Sequence, residues 1–154
     1  MASKMILDHI TTVLNIVLIC APRPIQLALG STLPDLRPFV RKTAEAMHAR
    51  HEHFKAHLPS SWRIGSQGGY FAFVRHPFNG RDAMQVCERM AAEGGIIALP
   101  AQIFTPQAPL RDDDSRRWIR FSVANVDDET LAQVCRRLSE IEQRFGWELD
   151  QPRE

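Results

Sequence analysis

The expected fold is decided by the stretch Trp118-Ile119-Arg120-Phe121-Ser122-Val123-Ala124-Asn125, which runs into Asp127-Asp128-Glu129-Thr130. Apolar side chains alternate with small or polar ones through the first part, and this alternation is typical of a strand with one buried face. The acidic part predicts the start of a helix, with Asp127 as its N-cap. The sequence therefore predicts a strand that leads into a final helix, with Arg120 on the strand face that points away from the core.

Arg120 carries the most specific chemical hypothesis that the residues support. An arginine on a strand is held in place, and its planar guanidinium offers donors that match a carboxylate in a bidentate pair. The alternative is an arginine that snorkels at a sheet edge or pairs with a neighbouring aspartate, and spacing alone favours this alternative.

The composition is that of a soluble globular protein with one ordinary domain, or with one domain and an appendage: 154 residues, 44% hydrophobic and 24% charged. A net charge of +1 gives no general attraction to nucleic acid or to acidic membranes. The apolar run at residues 13–21 is too short for a membrane span. The three cysteines form no C-x-x-C pair and suit a reducing compartment. We therefore expect a cytoplasmic protein without nucleic-acid or membrane partners.

The chain before Pro59 is predicted to be mostly helical. Residues 3–14 have apolar positions near helical spacing, and residues 25–29 predict a short helix closed by Gly30. A long helix is expected to start between Thr32 and Asp35, or later because of Pro38, and to end at Pro59. Its expected buried stripe consists of Val40, Ala44, Met47, Phe54 and Leu58.

After Pro59 the pattern predicts the order β-β-α-β-β-α. Residues 62–65 and 70–75 are expected to be strands joined by a hairpin turn, and residues 82–93 a helix. A short buried strand at residues 96–99 precedes the Arg120 strand, and the final helix ends at Gly146. The predicted fold class is α/β, with an α+β domain at residues 59–154 preceded by helices.

Three further features are candidates for a site, and in each the simpler interpretation is favoured. Four histidines at positions 48, 51, 53 and 57 do not converge on one helix face, which favours a solvated face over a metal site. The glycine-rich residues 65–69 lack the lysine of a phosphate-binding loop and favour a hairpin turn. The acidic residues 112–114 favour a solvated loop over a cation site. The sequence thus assigns no catalytic, cofactor-binding or metal-binding residue.

Four segments together resemble one known family. They are Ile19-Cys20-Ala21-Pro22-Arg23-Pro24-Ile25-Gln26, Gly68-Gly69-Tyr70-Phe71-Ala72-Phe73, Gly95-Ile96-Ile97-Ala98-Leu99-Pro100-Ala101-Gln102-Ile103-Phe104 and Trp118-Ile119-Arg120-Phe121-Ser122. In this order and at these distances they resemble the class I/II aminotransferases, which are pyridoxal-phosphate-dependent enzymes of fold type I.

The resemblance implies a domain organisation and one site residue. Residues 1–32 would be the end of the family's large domain, residues 33–58 the long linking helix, and residues 59–154 the small C-terminal domain. Arg120 would bind the α-carboxylate of the substrate, an amino acid or a 2-oxo acid, and Phe104 matches a loop position near the substrate entrance. The family also implies pyridoxal 5'-phosphate as cofactor and a homodimer as the full-length assembly.

The resemblance does not extend to the lysine that carries the cofactor. In the family this lysine follows a serine and precedes a Gly-x-Arg-x-Gly motif, whereas Ser3-Lys4 is followed by Met5-Ile6-Leu7-Asp8-His9. Lys42 and Lys55 lie on the predicted long helix. We therefore expect that the chain alone does not bind the cofactor tightly and is inactive, and that its first part needs a large-domain partner. The alternative is a stand-alone ferredoxin-like module that binds a small carboxylate without catalysis.

Overall fold

A computed structural model describes residues 3–18, 22–104 and 116–150, and these residues contain four α-helices and one four-stranded sheet. The helices are α1 (Lys4–Val17), α2 (Arg23–His57), α3 (Ala83–Arg89) and α4 (Asp128–Arg144). The strands are β1 (Arg63–Gly68), β2 (Phe71–Arg75), β3 (Leu99–Pro100) and β4 (Trp118–Ser122). The chain divides into two units, Met1–Lys42 and Thr43–Glu154. Within the described ranges, no helix is long and apolar enough to cross a membrane.

The sheet is antiparallel throughout and has the strand order β1-β2-β4-β3. The predicted hairpin between β1 and β2 is confirmed, although its turn is tighter than expected because β1 continues to Gly68. Gly69 takes a φ of 53°, a left-handed conformation that glycine adopts without strain. β4 lies between β2 and β3, so Arg120 is on an interior strand of the sheet.

The core of the second unit lies between one face of the sheet and the helices α3 and α4. Ile119 and Phe121 of β4 and Val123, which directly follows the strand, are buried as the alternation predicts. The predicted stripe of α4 is buried except for Val134, which is partly buried. Phe54 is the one residue from the predicted stripe of α2 that is fully buried, and it packs into the same cluster. The β4–α4 prediction is therefore confirmed in both its strand and its helix.

Capping residues explain where α3 and α4 begin. The Asp82 side chain accepts a hydrogen bond from the backbone N–H of Gln85 at 3.0 Å, and the Gln85 side chain accepts one from the backbone N–H of Asp82. The Asp127 side chain accepts from the backbone N–H of Thr130 at 2.8 Å, which confirms the predicted N-cap. After α3 the chain continues as a π-helical turn, Met90–Gly94, and ends at Gly95 with a φ of 61°.

Two predictions for the helical region are wrong. The short helix at residues 25–29 and the long helix after it are one continuous helix, because Gly30 keeps a helical conformation instead of ending it. Pro34 and Pro38 lie inside α2, where each removes one backbone donor while the neighbouring bonds continue the helix. Val40 and Ala44 of the predicted buried stripe are exposed, whereas Phe54 is buried.

The predicted strand at residues 96–99 is also shorter than expected. Only Leu99 and Pro100 pair with β4, opposite Arg120 and Ile119. Ile96 is buried, but Ile97 is almost fully exposed, so the apolar run reflects two separate environments. A 3-10 helix, Ala101–Phe104, follows β3 directly. The loop predicted to follow it, with its three aspartates, lies outside the described residues.

Candidate functional site

Arg120 lies on the sheet face opposite the one on which Ile119 and Phe121 of β4 are buried. On this face its neighbours across the strands are Phe73 of β2 and Leu99 of β3. Hydrogen-bonded strands on both sides fix the backbone at this position, so the Arg120 side chain leaves the sheet from a rigid platform. The alternative of an arginine at a sheet edge is therefore wrong.

Two aromatic rings hold the guanidinium of Arg120. Its Cζ lies 4.3 Å from the ring centroid of Phe71 and 3.7 Å from that of Phe104. Phe71 comes from β2, and Phe104 ends the 3-10 helix after β3, so the two rings reach the guanidinium from opposite sides of β4 along the sheet. Both distances are within the range of a cation–π interaction, which attracts the charge to the ring face.

The N–H groups of Arg120 are not used by any residue that the structure describes. Among the residues that the structure describes, no carboxylate forms an ion pair with Arg120 and no acceptor hydrogen-bonds to it. Residues 112–114, the acidic stretch nearest in sequence, lie outside the described ranges. A half-buried guanidinium with its charge uncompensated in this way can bind a carboxylate through two parallel hydrogen bonds.

Trp118 occupies the next position of β4 on the same sheet face. Its ring crosses β2 and covers Gly65 of β1, where a Cβ atom would overlap the indole. The guanidinium of Arg63 lies 5.6 Å from the centroid of the same ring. The register shift between Ile64 and Ser66 accompanies this packing. The absence of a side chain at Gly65 therefore makes room for the Trp118 ring. The sequence analysis counted Gly65 among the residues of a hairpin turn, whereas in the structure it has a packing role.

A second charged cluster surrounds His76, the residue that directly follows β2. The spacing of residues in the sequence did not predict this cluster. Asp150 accepts from Arg75 at 2.5 Å and from Arg117 at 2.9 Å, and Arg117 also donates to the carbonyls of His76 and Phe78 at 3.2 and 2.8 Å. Although burial opposes it, hydrogen bonds from the two arginines hold the pKa of Asp150 below its usual range. An isolated β-bridge between Phe78 and Leu149 brings the end of the chain next to this cluster. No local sequence pattern predicts this bridge.

His76 itself is fully buried, and neither of its ring nitrogens has a hydrogen-bond partner among the described residues. Burial lowers the pKa of His76 to about 3, and the positive charges of Arg117 and Arg75 act in the same direction. The ring is therefore neutral at physiological pH, and a proton on it would be strongly disfavoured.

The four helical histidines do not form a metal site in the described part of the chain, where no cluster of three metal-ligating side chains occurs. The expectation of a solvated face is wrong for His51, which is buried and hydrogen-bonds through Nε2 to the carbonyl of Gly69 at 3.1 Å. His53 bonds through Nε2 to the carbonyl of Asp128 at 3.1 Å. These contacts tie the end of α2 to the hairpin and to α4.

The cysteines of α3 and α4 are structural, as their positions in apolar stripes predict. Burial raises the pKa of Cys87 to about 12 and that of Cys135 to about 11. A thiol that stays protonated is a poor nucleophile, so neither residue is suited to covalent catalysis. Cys20 lies outside the described residues.

Lys4, Lys42 and Lys55 are all exposed on helices, and Lys4 pairs with Asp8 at 2.8 Å. Lys55 borders an open cavity of about 530 Å³ between the end of α2 and β1, and Arg120 is not among the residues that line it. Burial favours the neutral, nucleophilic form of a lysine amine, and none of these three lysines is buried.

The family model for aminotransferase class I and II matches residues 1–138 of the 154. The chain belongs to the class I and II aminotransferases. This confirms the resemblance that the four sequence segments indicated, and Arg120, Phe71 and Phe104 lie inside the matched region. No curated protein matches the chain.

Solved aminotransferase structures share the fold of this chain. N-succinyldiaminopimelate aminotransferase from Mycobacterium tuberculosis is 24% identical over 82% of this chain and 33% of its own, with a TM-score of 0.63. YbdL from Escherichia coli, described as having a methionine aminotransferase function, is 22% identical over 82% and 32%, with a TM-score of 0.62. LysN, an α-aminoadipate aminotransferase from Thermus thermophilus complexed with N-(5'-phosphopyridoxyl)-L-leucine, is 22% identical over 78% and 30%, with a TM-score of 0.57. The chain spans about a third of the length of these three proteins.

Proposed function

We propose that this chain provides the arginine that binds the substrate's α-carboxylate in a pyridoxal-phosphate-dependent aminotransferase. The observation that carries the proposal is the state of Arg120, whose guanidinium is stacked on Phe71 and Phe104 and unpaired with any acid among the described residues. The substrates would be an amino acid and a 2-oxo acid, because amino-group transfer between them leaves the α-carboxylate unchanged for recognition in both directions. Membership of the aminotransferase family supports this assignment.

The proposal includes the domain assignment. Residues 59–154, with strands and helices in the order β1-β2-α3-β3-β4-α4, would be the small C-terminal domain of the enzyme. Residues 33–58 would be the linking helix, and residues 1–32 the end of the large domain. The exposed apolar side chains of α1, such as Val13, Ile16 and Val17, would then pack on a large-domain partner. The full-length enzyme would be a cytoplasmic homodimer.

The proposal also holds that this polypeptide alone does not transaminate. Transamination needs an amine that binds the cofactor and exchanges protons with the substrate Cα. An arginine cannot take this role, because a guanidinium in a protein does not act as a free amine. We expect no stable adduct after incubation with pyridoxal phosphate and borohydride reduction, measured by intact-mass spectrometry. A stoichiometric reduced adduct at Lys4 would contradict this part of the proposal.

Carboxylate binding at Arg120 is tested without cofactor by thermal unfolding. Pyruvate at ten times its Kd should stabilise the chain by about 1.4 kcal/mol through mass action, and pyruvamide should not. Arg120→Leu should abolish the stabilisation, and Arg120→Lys should weaken it because the ammonium lacks the bidentate fork. Arg81→Leu is the matched control, since Arg81 also stacks on a ring, that of Trp147 at 4.7 Å. Equal stabilisation of Arg120→Leu and the unmodified chain would refute the assignment.

The same assay separates the aminotransferase function from that of a stand-alone binding module. A module that senses a free carboxylate needs no further polypeptide, so pyruvate should bind this chain with the same affinity whether or not pyridoxal phosphate and a large-domain partner are present. A chain that contributes one group to a larger site should bind pyruvate more tightly when they are added. We expect the second result, because the chain spans only about a third of the length of the aminotransferases that it resembles.

A further inference from the structure

The aromatic pair around Arg120 has a role of its own in the site. We propose that Phe71 and Phe104 are positioning residues, which fix the plane of the Arg120 guanidinium and leave its N–H edges for the ligand's carboxylate. This inference rests on the proposed function of Arg120 and deepens it.

The first argument is that the two rings come from independently fixed segments. Phe71 begins β2 and pairs in register with Ser122, which places it diagonal to Arg120 on the same face. Phe104 ends the 3-10 helix that follows β3, the strand on the other side of β4. A long arginine side chain that touches one ring can still swing about its stem, whereas contact with two rings from two directions restricts both the position and the tilt of the guanidinium.

The second argument concerns what the rings leave free. An acidic neighbour would order the guanidinium by occupying its N–H donors and neutralising its charge, and it would compete directly with a substrate carboxylate. A ring face instead interacts with the delocalised charge and takes no N–H hydrogen bond. The two phenylalanines therefore restrict the motion of the Arg120 guanidinium and leave its N–H donors free to bind an anion.

The third argument is exposure. Phe71 is 37% exposed and Phe104 is 43% exposed, so neither ring is a member of the buried core. Replacing either ring should therefore have a small effect on the stability of the fold. Both rings contact the guanidinium of Arg120, whose Cζ lies 4.3 Å from the centroid of Phe71 and 3.7 Å from that of Phe104.

The proposal can be tested first without any ligand. In the full chain, ring currents from Phe71 and Phe104 should shift the Arg120 Nε–H proton upfield in a nitrogen–proton correlation spectrum, with the peak assigned by its loss in Arg120→Lys. Phe104→Leu should move the peak towards the position of an unstacked arginine, and Phe104→Tyr should leave it near its original position. An Arg120 peak without upfield shift, or one that Phe104→Leu does not move, would overturn the proposal.

The affinity for pyruvate then measures how the two rings affect carboxylate binding by Arg120. Phe104→Leu and Phe71→Leu should each raise the Kd for pyruvate by up to about fivefold, because a guanidinium released from one ring must be ordered when the carboxylate binds, at a cost no larger than one exposed cation–π contact. Phe104→Tyr should restore the original Kd, and Ile103→Ala, at an exposed neighbouring position, should not change it. An unchanged Kd in both leucine variants would refute the positioning role while leaving the function of Arg120 intact. Failure of the unmodified chain to bind pyruvate would count against the proposed function, and the ligand-free spectrum would still decide the arrangement of the rings.

Discussion

The buried His76, which directly follows β2, should make the stability of the second unit depend on pH. His76 is fully buried, its ring nitrogens have no hydrogen-bond partner among the described residues, and its pKa is lowered to about 3 from an ordinary value of 6.5. Because its folded-state pKa is depressed, the unfolded chain binds more protons than the folded chain between these two values. The stabilising effect of a neutral His76 is therefore complete above pH 6.5 and is lost as the pH falls.

The size of the effect follows from the same pKa values. Between pH 6.5 and pH 3, each decrease of one pH unit lowers the free energy of unfolding by about 1.4 kcal/mol. The reason is that His76 is protonated in the unfolded chain and neutral in the folded chain. Between pH 7.5 and pH 5 the loss should come to about 2 kcal/mol. Asp150 adds to the loss only in more acidic solution, since hydrogen bonds from Arg117 and Arg75 hold its pKa below its usual range.

Urea unfolding followed by tryptophan fluorescence measures this loss, because Trp62, Trp118 and Trp147 all lie in the second unit. The comparison is between the unmodified chain and His76→Leu, which fills a similar volume without a titratable group. The stability difference between them should change by about 2 kcal/mol between pH 7.5 and pH 5, in favour of the leucine variant at low pH. His48→Gln, at an exposed position of α2, is the control. A difference that stays constant over this range would refute the reasoning.

Two further substitutions test local packing and capping by urea unfolding. Gly65→Ala should destabilise the second unit by about 1–3 kcal/mol, because the new methyl group must displace the Trp118 ring. Gly68→Ala is the matched control in the same strand, with no atom near its Cβ position, and an equal loss in both variants would contradict the packing role. Asp82→Ala should cost about 0.5–2 kcal/mol through loss of the α3 capping box, with Glu88→Ala on the exposed side of α3 as control. Equal stability of the Asp82 and Glu88 variants would show that the cap contributes nothing.

The sequence predicted best where local chemistry and packing agree. The alternation through β4, the Asp127 cap and the stripe of α4 all concern one buried face whose period can be read from neighbouring residues. It failed for α2, because Gly30 and two prolines are strong stop signals in isolation and yet lie within a continuous helix. The exposed Val40 and Ala44 show the same limit, since apolar spacing indicates which face could be buried but not whether a partner covers it.

The central residue of the candidate site was predicted, and the resemblance singled out Phe104, but the contacts of Arg120 were not predicted. Arg120 follows from the strand pattern, and the family resemblance gives it a ligand. Its contact with Phe71 depends on strand register, and its contact with Phe104 depends on the turn after β3, so neither distance can be read from spacing. The His76 cluster joins residues as far apart as Arg75 and Asp150, which only the closed fold brings together.

The most direct test of carboxylate binding is a titration of the chain with pyruvate, followed at the Arg120 Nε–H signal. If the two N–H edges of Arg120 bind the carboxylate, the signal should move progressively downfield and saturate, while the Arg81 signal stays in place and pyruvamide has no effect. Saturable binding of pyruvate that leaves the Arg120 signal unmoved would contradict the account.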